Sequence, residues 1–282
     1  MKPCDFEYVA PTSLAEAVDL LARDEDARVI AGGQSLVPML NLRLAFPTTL
    51  VDITRLPGLG EVETDEDVVR IPAAVRQSRA ASADTVKERV PLLAAALGHV
   101  GHPQTRSRGT VVGSLAHADP AAELPAVLVA LDGELEVVGP NGNRTIAAAD
   151  LYRGYYTTAL EQGEIAIAVR LPIAPAGTGA GCYEISRRRR DFALLGAVAQ
   201  LTLGGGRTVA EARVALFGVG PRPLRAESVE EALRGREASV ESIAVAAEAI
   251  AQSTAEGGFD YRASVAPVVV RRALIEALEG VR

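Results

Sequence analysis

Apolar and polar positions in the first part of the chain follow patterns that predict both helices and strands. Apolar residues recur at helical spacing over residues 13–22, where Ser13 is a suitable N-cap and Glu16 stands at the capping-box position. Pro91 suits the first turn of a helix over residues 91–97. Other patterns predict strands over 27–30, 49–53, 68–72 and 165–171, a helix-compatible segment over 36–44 that Pro38 interrupts, a helix over 121–131, and a hairpin turning at 139–143.

A change in composition predicts a second unit near the C-terminus. Residues 172–181 are rich in Pro, Gly and Ala and carry no periodic apolar positions, which indicates a linker. We therefore expect domains over residues 1–175 and 176–282. In the second domain the patterns predict strands over 193–203 and 211–219 and helices over 229–233, 240–252 and 267–278, which together make a smaller α+β unit.

Two glycine-bearing segments are the most informative feature of the chain. Both are predicted to be loops; they read Ala31-Gly32-Gly33-Gln34-Ser35-Leu36 and Gly109-Thr110-Val111-Val112-Gly113-Ser114. Because glycine has no Cβ, successive N–H groups can converge on an anion, and a pair of such loops suggests a cradle for the diphosphate of a nucleotide cofactor. The first segment has neither the Rossmann nor the P-loop spacing, so a plain tight turn is the alternative for it.

Composition and charge exclude several classes of function. The net charge of −7 argues against nucleic-acid binding, which needs a basic face. With only two cysteines, the chain cannot supply the thiolates of an iron–sulfur cluster or a disulfide framework. His99 and His102 have metal-ligand spacing, but no neighbouring Cys, Asp or Glu completes a site, so no metal is expected. No long apolar run is present, which predicts a cytoplasmic protein without a membrane segment.

Beyond these patterns, four motifs resemble the FAD-binding medium subunit of molybdenum hydroxylases, a family that includes carbon monoxide dehydrogenase and the flavin domain of xanthine dehydrogenase. The first motif is Ala-Gly-Gly-Gln-Ser-Leu-x-Pro from Ala31, followed by Asn-Leu-Arg-Leu-Ala and Leu-Val-Asp-Ile. The second runs from Arg108 to Pro125, the third covers residues 182–188 and 191–193, and the fourth covers 261–262 and 270–274. The resemblance extends from the first helix to the end of the chain.

The resemblance implies an α+β fold: an FAD-binding domain of the PCMH (vanillyl-alcohol-oxidase) type with two α+β subdomains, followed by a small C-terminal α+β domain. It also implies that FAD lies between the subdomains with its diphosphate on the two glycine segments. No catalytic side chain is expected. The residues expected to bind FAD are Ala31, Gly32, Gly33, Gln34, Ser35, Leu36, Thr110, Gly113, Ser114, His117, Asp119, Glu123 and Ile167.

Some positions allow more than one interpretation, and others differ from the family pattern. Asp119 precedes a proline and could instead cap the following helix, with Glu123 one turn further on the same face. Val112 replaces a glycine of many relatives, so it must avoid positive φ or point away from the cofactor. Arg187–Arg190 form a run of four cations, interpreted as a solvated loop, a phosphate contact or a docking site for an acidic partner. Phe192 could face the flavin or lie in the core.

The implied function is electron transfer within a larger enzyme. A large subunit would carry molybdenum and a pterin, a small subunit would carry [2Fe–2S] clusters, and this chain would pass electrons through FAD to an external acceptor in a dimer of heterotrimers. Because residues 32–35 contain no Cys or His, FAD is expected to be non-covalent. The alternatives are a self-contained flavin oxidase or dehydrogenase on the same fold and a nucleotide-binding assembly module without redox activity.

Overall fold

The computed structural model describes residues 2–188, 190–250 and 260–281, and these residues form a mixed α and β structure, as predicted. The chain begins with a small parallel sheet in the order β1-β3-β2. Its elements are β1 (Glu7–Val9), α1 (Leu14–Arg23), β2 (Arg28–Ile30), α2 (Leu36–Asn41) and β3 (Thr49–Asp52). Ser13 caps α1 by accepting a hydrogen bond from the Glu16 N–H, as its sequence position indicated.

A second subdomain is built on an antiparallel sheet in the order β4-β5-β10-β6-β7. The strands are β4 (Glu63–Thr64), β5 (Val68–Pro72), β6 (Glu134–Gly139), β7 (Gly142–Ala147), β8 (Tyr152–Gly154), β9 (Thr157–Thr158) and β10 (Ile165–Pro172). The helices are α3 (Gln77–Ser82), α4 (Asp84–Arg89), α5 (Pro91–Leu97), α6 (Pro103–Arg108), α7 (Val111–His117), α8 (Glu123–Ala130) and α9 (Ala148–Leu151). β8 and β9 pair with each other outside the main sheet.

The C-terminal unit places helices on an antiparallel sheet in the order β11-β12-β13-β14. Its strands are β11 (Thr178–Ser186), β12 (Ala193–Leu203), β13 (Val209–Phe217) and β14 (Leu224–Arg225). Its helices are α10 (Glu227–Leu233), α11 (Val240–Ala247) and α12 (Asp260–Glu279), with a short 3₁₀ turn at Gly205–Arg207.

The predicted linker over residues 172–181 is wrong at its C-terminal end, because β11 already begins at Thr178. Glycine is used there for packing: a Cβ on Gly181 would lie 2.2 Å from the Ala273 carbonyl oxygen, and one on Gly179 would lie 2.0 Å from the Ala277 carbonyl oxygen. The two glycines therefore let α12 lie directly on the edge strand β11.

Other element boundaries also differ from the prediction. The helix expected over 121–131 begins at Glu123, and the helix expected over 267–278 begins at Asp260, with Pro267 inside it. The helix expected over 240–252 ends at Ala247, while residues 251 and 252 lie outside the described residues. Among the described residues, no helix is long and apolar enough to cross a membrane.

The two units are joined by apolar packing and by a polar network. Phe217 of β13 is fully buried within the core cluster that otherwise belongs mainly to the N-terminal unit. Arg225 donates to the Val129 carbonyl oxygen at 2.8 Å and to Asp132 Oδ1 at 3.0 Å, and Arg213 donates to Asp132 Oδ2 at 2.7 Å. The end of α8 is thus tied to the C-terminal sheet.

Candidate functional site

The structure brings the two glycine segments into direct contact. A Cβ on Gly32 would lie 2.5 Å from the Arg108 carbonyl oxygen and 2.6 Å from Gly109 Cα, so any side chain there would push the segments apart. Gly33 has φ +71°, a conformation that residues with a Cβ rarely adopt. Glycine is therefore required at both positions for reasons of local geometry.

The first segment ends at the start of α2 and leaves polar groups available. Ser35 occupies the N-cap position of α2, yet its hydroxyl makes no capping hydrogen bond. The exposed Gln34 side chain donates to the Gly32 carbonyl oxygen at 3.3 Å. Ala31 and Leu36 are half-buried at the two ends of the segment. Ser35 and Gln34 thus present side-chain donors beside a glycine turn.

The second segment is a helix start, which corrects the predicted loop over residues 109–114. α7 begins at Val111, and Thr110 is its N-cap, accepting a hydrogen bond from the Gly113 N–H at 3.1 Å. Thr110 is only 2 % exposed, so its hydroxyl serves the helix. The helix forms because Val111, Val112 and Leu115 pack into the core behind it, while Ser114 stays half-buried on the other side.

A cleft of about 460 Å³ opens beside the first segment. Its walls combine the strand ends of the parallel sheet, the glycine turn and two arginines. The lining residues are Tyr8, Ile30, Ala31, Gly32, Gly33, Gln34, Val37, Pro38, Asp52, Thr54, Arg76 and Arg108. Asp52 accepts hydrogen bonds from the Tyr8 hydroxyl at 2.5 Å and from the Thr54 N–H at 2.8 Å. The cleft therefore offers backbone and cationic donors next to apolar walls.

Two further predicted residues, His117 and Asp119, lie at the end of α7 and just after it. His117 ends α7 with its ring 5.2 Å from that of Tyr156, and burial lowers the pKa of its imidazole. Asp119 accepts from the Ala121 N–H at 2.9 Å, ahead of α8, whose N-cap is Ala122. The interpretation of Asp119 as a helix cap is thus wrong: it closes the turn before the helix, and Glu123 is not one turn further along the same helix.

Glu123 belongs to a cluster of titratable groups at the junction of the two units. Burial raises the pKa of its carboxyl to about 7. The Glu184 carboxylate lies 3.7 Å from His99 Nδ1, and this contact raises the pKa of the imidazole. Glu276 accepts from the Cys182 N–H at 3.2 Å on the free edge of β11. In the described ranges, no group of three or more such side chains is arranged to hold a metal ion.

Comparison with known proteins agrees with this architecture. The family described as the FAD binding domain in molybdopterin dehydrogenase matches residues 4–174, and the CO dehydrogenase flavoprotein C-terminal domain matches residues 182–277. The chain belongs to the FAD-binding medium-subunit family of molybdenum hydroxylases.

Individual members of this medium-subunit family resemble the chain over nearly its whole length. The 6-hydroxypseudooxynicotine dehydrogenase complex subunit alpha of Paenarthrobacter nicotinovorans is 39% identical, covering 100% of this chain and 97% of the relative. The carbon monoxide dehydrogenase medium chain of Hydrogenophaga pseudoflava is 38% identical, covering 97% of each. The solved structure of carbon monoxide dehydrogenase from that organism superposes with a TM-score of 0.93 at 37% identity over 100% of both chains.

The structure also locates the positions that differ from the family pattern or allow more than one interpretation. Val112 lies inside α7 and is buried in the core, so it points away from the cleft without positive φ. Ile167 stands at a register shift between β10 and β6 and is half-buried. Phe192 is 74 % exposed, so its interpretation as a core residue is wrong. Arg187 and Arg188 are exposed, while Arg189 lies outside the described residues.

Sequence reasoning missed several residues of this site. Arg76 lines the cleft from a segment that carries no motif, whereas Asp52 belongs to the Leu-Val-Asp-Ile motif without being an expected FAD contact. Glu184 meets His99 across the two units. None of these pairings has a local signal, because each joins residues far apart in the chain. Gln77 was missed for the same reason: it is 4 % exposed and donates to the Thr110 carbonyl oxygen at 3.4 Å, behind the second segment.

Proposed function

We propose that this chain binds FAD non-covalently and relays electrons from [2Fe–2S] clusters of a partner subunit to an external acceptor. The observation that carries the proposal is the contact between the two glycine segments, beside a cleft large enough for part of an extended dinucleotide that is lined by the first segment and by Arg108, the residue before the second. The family match to an FAD-binding domain supports the identity of the cofactor. When bound, FAD supplies the exchange between one-electron and two-electron transfer.

The residues of the cradle fit the diphosphate of this cofactor. Gly32 lets the two segments lie in contact and Gly33 adopts a positive φ, which together shape the turn, and the uncapped Ser35 hydroxyl and exposed Gln34 amide add donors. Thr110 has its side chain engaged, so a contact from that position would use its backbone or follow a rearrangement of the cap. Ala31, Leu36, Gly113 and Ser114 complete the proposed diphosphate site.

The proposed flavin end lies further along, toward the C-terminal unit. His117, Asp119 and Glu123 are the proposed contacts there, and Ile167 is proposed to pack on the adenine or the flavin. Because burial lowers the pKa of His117, its ring is neutral near pH 7 and can both donate and accept a hydrogen bond. Glu123, whose pKa is about 7, can hold or release a proton in the same range. These side chains would orient the cofactor and set its surroundings rather than act on a substrate.

Assembly with partners is the second part of the proposal. We propose a small [2Fe–2S] subunit and a large molybdenum-pterin subunit, in a cytoplasmic dimer of heterotrimers. Leu42, Leu44 and Phe46 are all exposed in one short segment after α2, and such apolar clustering is typical of surfaces that a partner covers. The names of relatives describe them as medium subunits or as one subunit of a complex.

The absorption spectrum of the natively purified protein, with identification of the chromophore released by denaturation, tests the cofactor assignment. Flavin bands with free FAD in the supernatant are the expected result. Flavin that stays in the precipitate would contradict non-covalent binding. A colourless protein that remains colourless after incubation with FAD would overturn the proposal and favour an assembly module without redox activity.

A tagged chain purified from its native source tests the assembly. Co-purification of two further subunits, with iron–sulfur absorbance added to the flavin bands, is expected. The double variant Leu44→Glu, Phe46→Glu should lose the partners while retaining FAD, because the segment lies outside the cradle. A flavoprotein that purifies alone and oxidises a substrate by itself would instead favour a self-contained oxidase.

A further inference from the structure

Two arginine side chains at the cleft have no anionic partner of their own. Arg76 is half-buried and Arg108 is exposed, and both line the cleft beside the first glycine segment. In the part of the chain that the structure describes, no carboxylate oxygen lies within 4.0 Å of either guanidinium. Two cations thus share one concave surface without a salt bridge.

Arg76 is held in place by the backbone of its neighbour. The segment carrying Arg76 pairs with Thr110 as an antiparallel bridge, and the Arg76 guanidinium donates to the Arg108 carbonyl oxygen. This contact occupies a small part of the donor set of a guanidinium, so further donors face the cleft. Burial and then the positive charge of Arg108 lower the pKa of Arg76, and the charge of Asp52 offsets only part of this, so the two arginines repel each other.

Asp52 is the one carboxylate among the described residues that line the cleft, and although its charge acts on Arg76, a single carboxylate cannot balance two arginines. Its oxygens already accept hydrogen bonds from Tyr8 and from the Thr54 N–H. Burial acts to raise the pKa of Asp52, but the hydrogen bonds from Tyr8 and Thr54, and last the charge of Arg55 outside the lining, outweigh it and lower that pKa. The cleft therefore keeps a net positive charge in addition to the glycine N–H groups.

We infer that Arg76 and Arg108 form a phosphate-binding pair that contacts the diphosphate held by residues 31–35. A planar guanidinium matches two phosphate oxygens at once, and charge-assisted hydrogen bonds are stronger than neutral ones. The glycine turn supplies backbone donors to one side of the anion and the arginines supply charge to the other. This inference rests on the proposed function for the cofactor, but it concerns two residues that are not among those the resemblance implies as FAD contacts.

The test measures equilibrium binding of FAD and of ADP to the full-length chain after removal of bound flavin. Arg76→Gln and Arg108→Gln should each weaken FAD and ADP binding by about tenfold to hundredfold, the range of one charged hydrogen bond. The dependence of affinity on salt should also become shallower. Arg79→Gln is the matched control, because Arg79 lies three residues from Arg76 but pairs with the exposed Glu61 at 3.2 Å. Its binding constants should equal those of the wild type.

Arg108→Gln guards the test against a folding artefact, since that side chain is exposed and the Arg76 guanidinium contacts only the Arg108 backbone carbonyl, which the substitution keeps. Arg108→Lys should restore part of the affinity by keeping the charge. Wild-type affinity and salt dependence in both glutamine variants would overturn the inference while leaving FAD binding intact. If instead the wild type binds ADP through the arginines but does not bind FAD, the phosphate site stands and the proposed function fails.

Discussion

Arginine is used in opposite ways in two regions of this molecule. At the junction of the units, Arg225 is surrounded by acceptors: the Glu230 carboxylate, the Val129 carbonyl oxygen and Asp132, which Arg213 also contacts. At the cleft, Arg76 has one backbone acceptor and Arg108 has none for its side chain among the described residues. The guanidinium donors are thus engaged by acceptors at the junction, whereas at the cleft most of them have no acceptor among the described residues.

The difference separates a structural role from a binding role. A buried ion pair whose donors and acceptors are matched contributes to one defined arrangement, and removing one partner leaves the other charge buried alone. A cation that faces a concave surface without a counterion is costly until an anion arrives. Loss of a junction arginine should therefore appear in the free energy of unfolding, whereas loss of a cleft arginine should appear in ligand affinity.

The largest effect is expected for Arg225→Ala. The substitution leaves Glu230 mostly buried without its cation and removes the tie to the end of α8, so the free energy of unfolding should fall by about 3–5 kcal/mol. Denaturant unfolding monitored by circular dichroism measures it. The control is Arg79→Ala, which breaks an exposed pair and should change stability by less than about 1 kcal/mol. Equal losses in the free energy of unfolding for both variants would contradict a structural role for the Arg225 contacts at the junction.

Gly32→Ala tests the closeness of the two segments. The added Cβ would meet backbone atoms of Arg108 and Gly109, which cannot rotate away, so the segments must separate. We expect a loss of about 1–3 kcal/mol in the free energy of unfolding, as for other overpacked sites, together with weaker FAD binding. Gly60→Ala is the control, because a Cβ at Gly60 meets nothing within 4 Å. A Gly32→Ala variant with wild-type FAD affinity would show that the cradle does not depend on this contact.

These regions also show how far the sequence alone reaches. Ser13 and Glu16 predict α1 because an N-cap acts within its own turn. The glycines of the first segment likewise indicate a close approach of the backbone. Glycines and hydroxyls dominate the second segment, and this composition predicts a loop. Burial of its valines and the Thr110 cap make it a helix, and that packing is a tertiary effect.

The charged partners could not be predicted for a related reason. Arg76 and Arg108 are 32 positions apart, and Arg225 and Asp132 are 93 apart, so only the finished fold brings them together. The same holds for the contact between His99 and Glu184, which are also far apart in the chain. The motifs predict the proposed cradle, whereas the charged groups beside it come together only in the folded chain.

The acidic part of the junction should make stability depend on pH through Glu123. Its pKa is about 7 in the folded protein against 4.5 for the unfolded reference, so folding favours the protonated form. The contribution of Glu123 is present below about pH 4.5 and is lost as the pH rises through about 7. Since the residue is half-buried, we expect a loss of about 2 kcal/mol across this window. Glu123→Gln should remove that part of the pH dependence.

Urea unfolding at several pH values between about 5 and 8 measures this effect. The difference between wild type and Glu123→Gln isolates Glu123 from His99, whose raised pKa contributes stability that is also lost at higher pH. Glu66→Gln is the control, because Glu66 is an exposed surface residue. Parallel pH profiles for the wild type and Glu123→Gln would show that the Glu123 carboxyl titrates alike in the folded and unfolded chains.

The smallest effect, expected for Thr110, distinguishes a cap from a ligand contact. Thr110→Ala removes the acceptor of the Gly113 N–H and should lower the free energy of unfolding by about 1 kcal/mol. Thr110→Ser retains the hydroxyl and should preserve both stability and FAD affinity. If the hydroxyl binds the cofactor instead, Thr110→Ala will weaken FAD binding well beyond its effect on the apoprotein. Losses of similar size in apoprotein stability and in FAD binding energy would show that the Thr110 hydroxyl acts as a helix cap and not as a ligand contact.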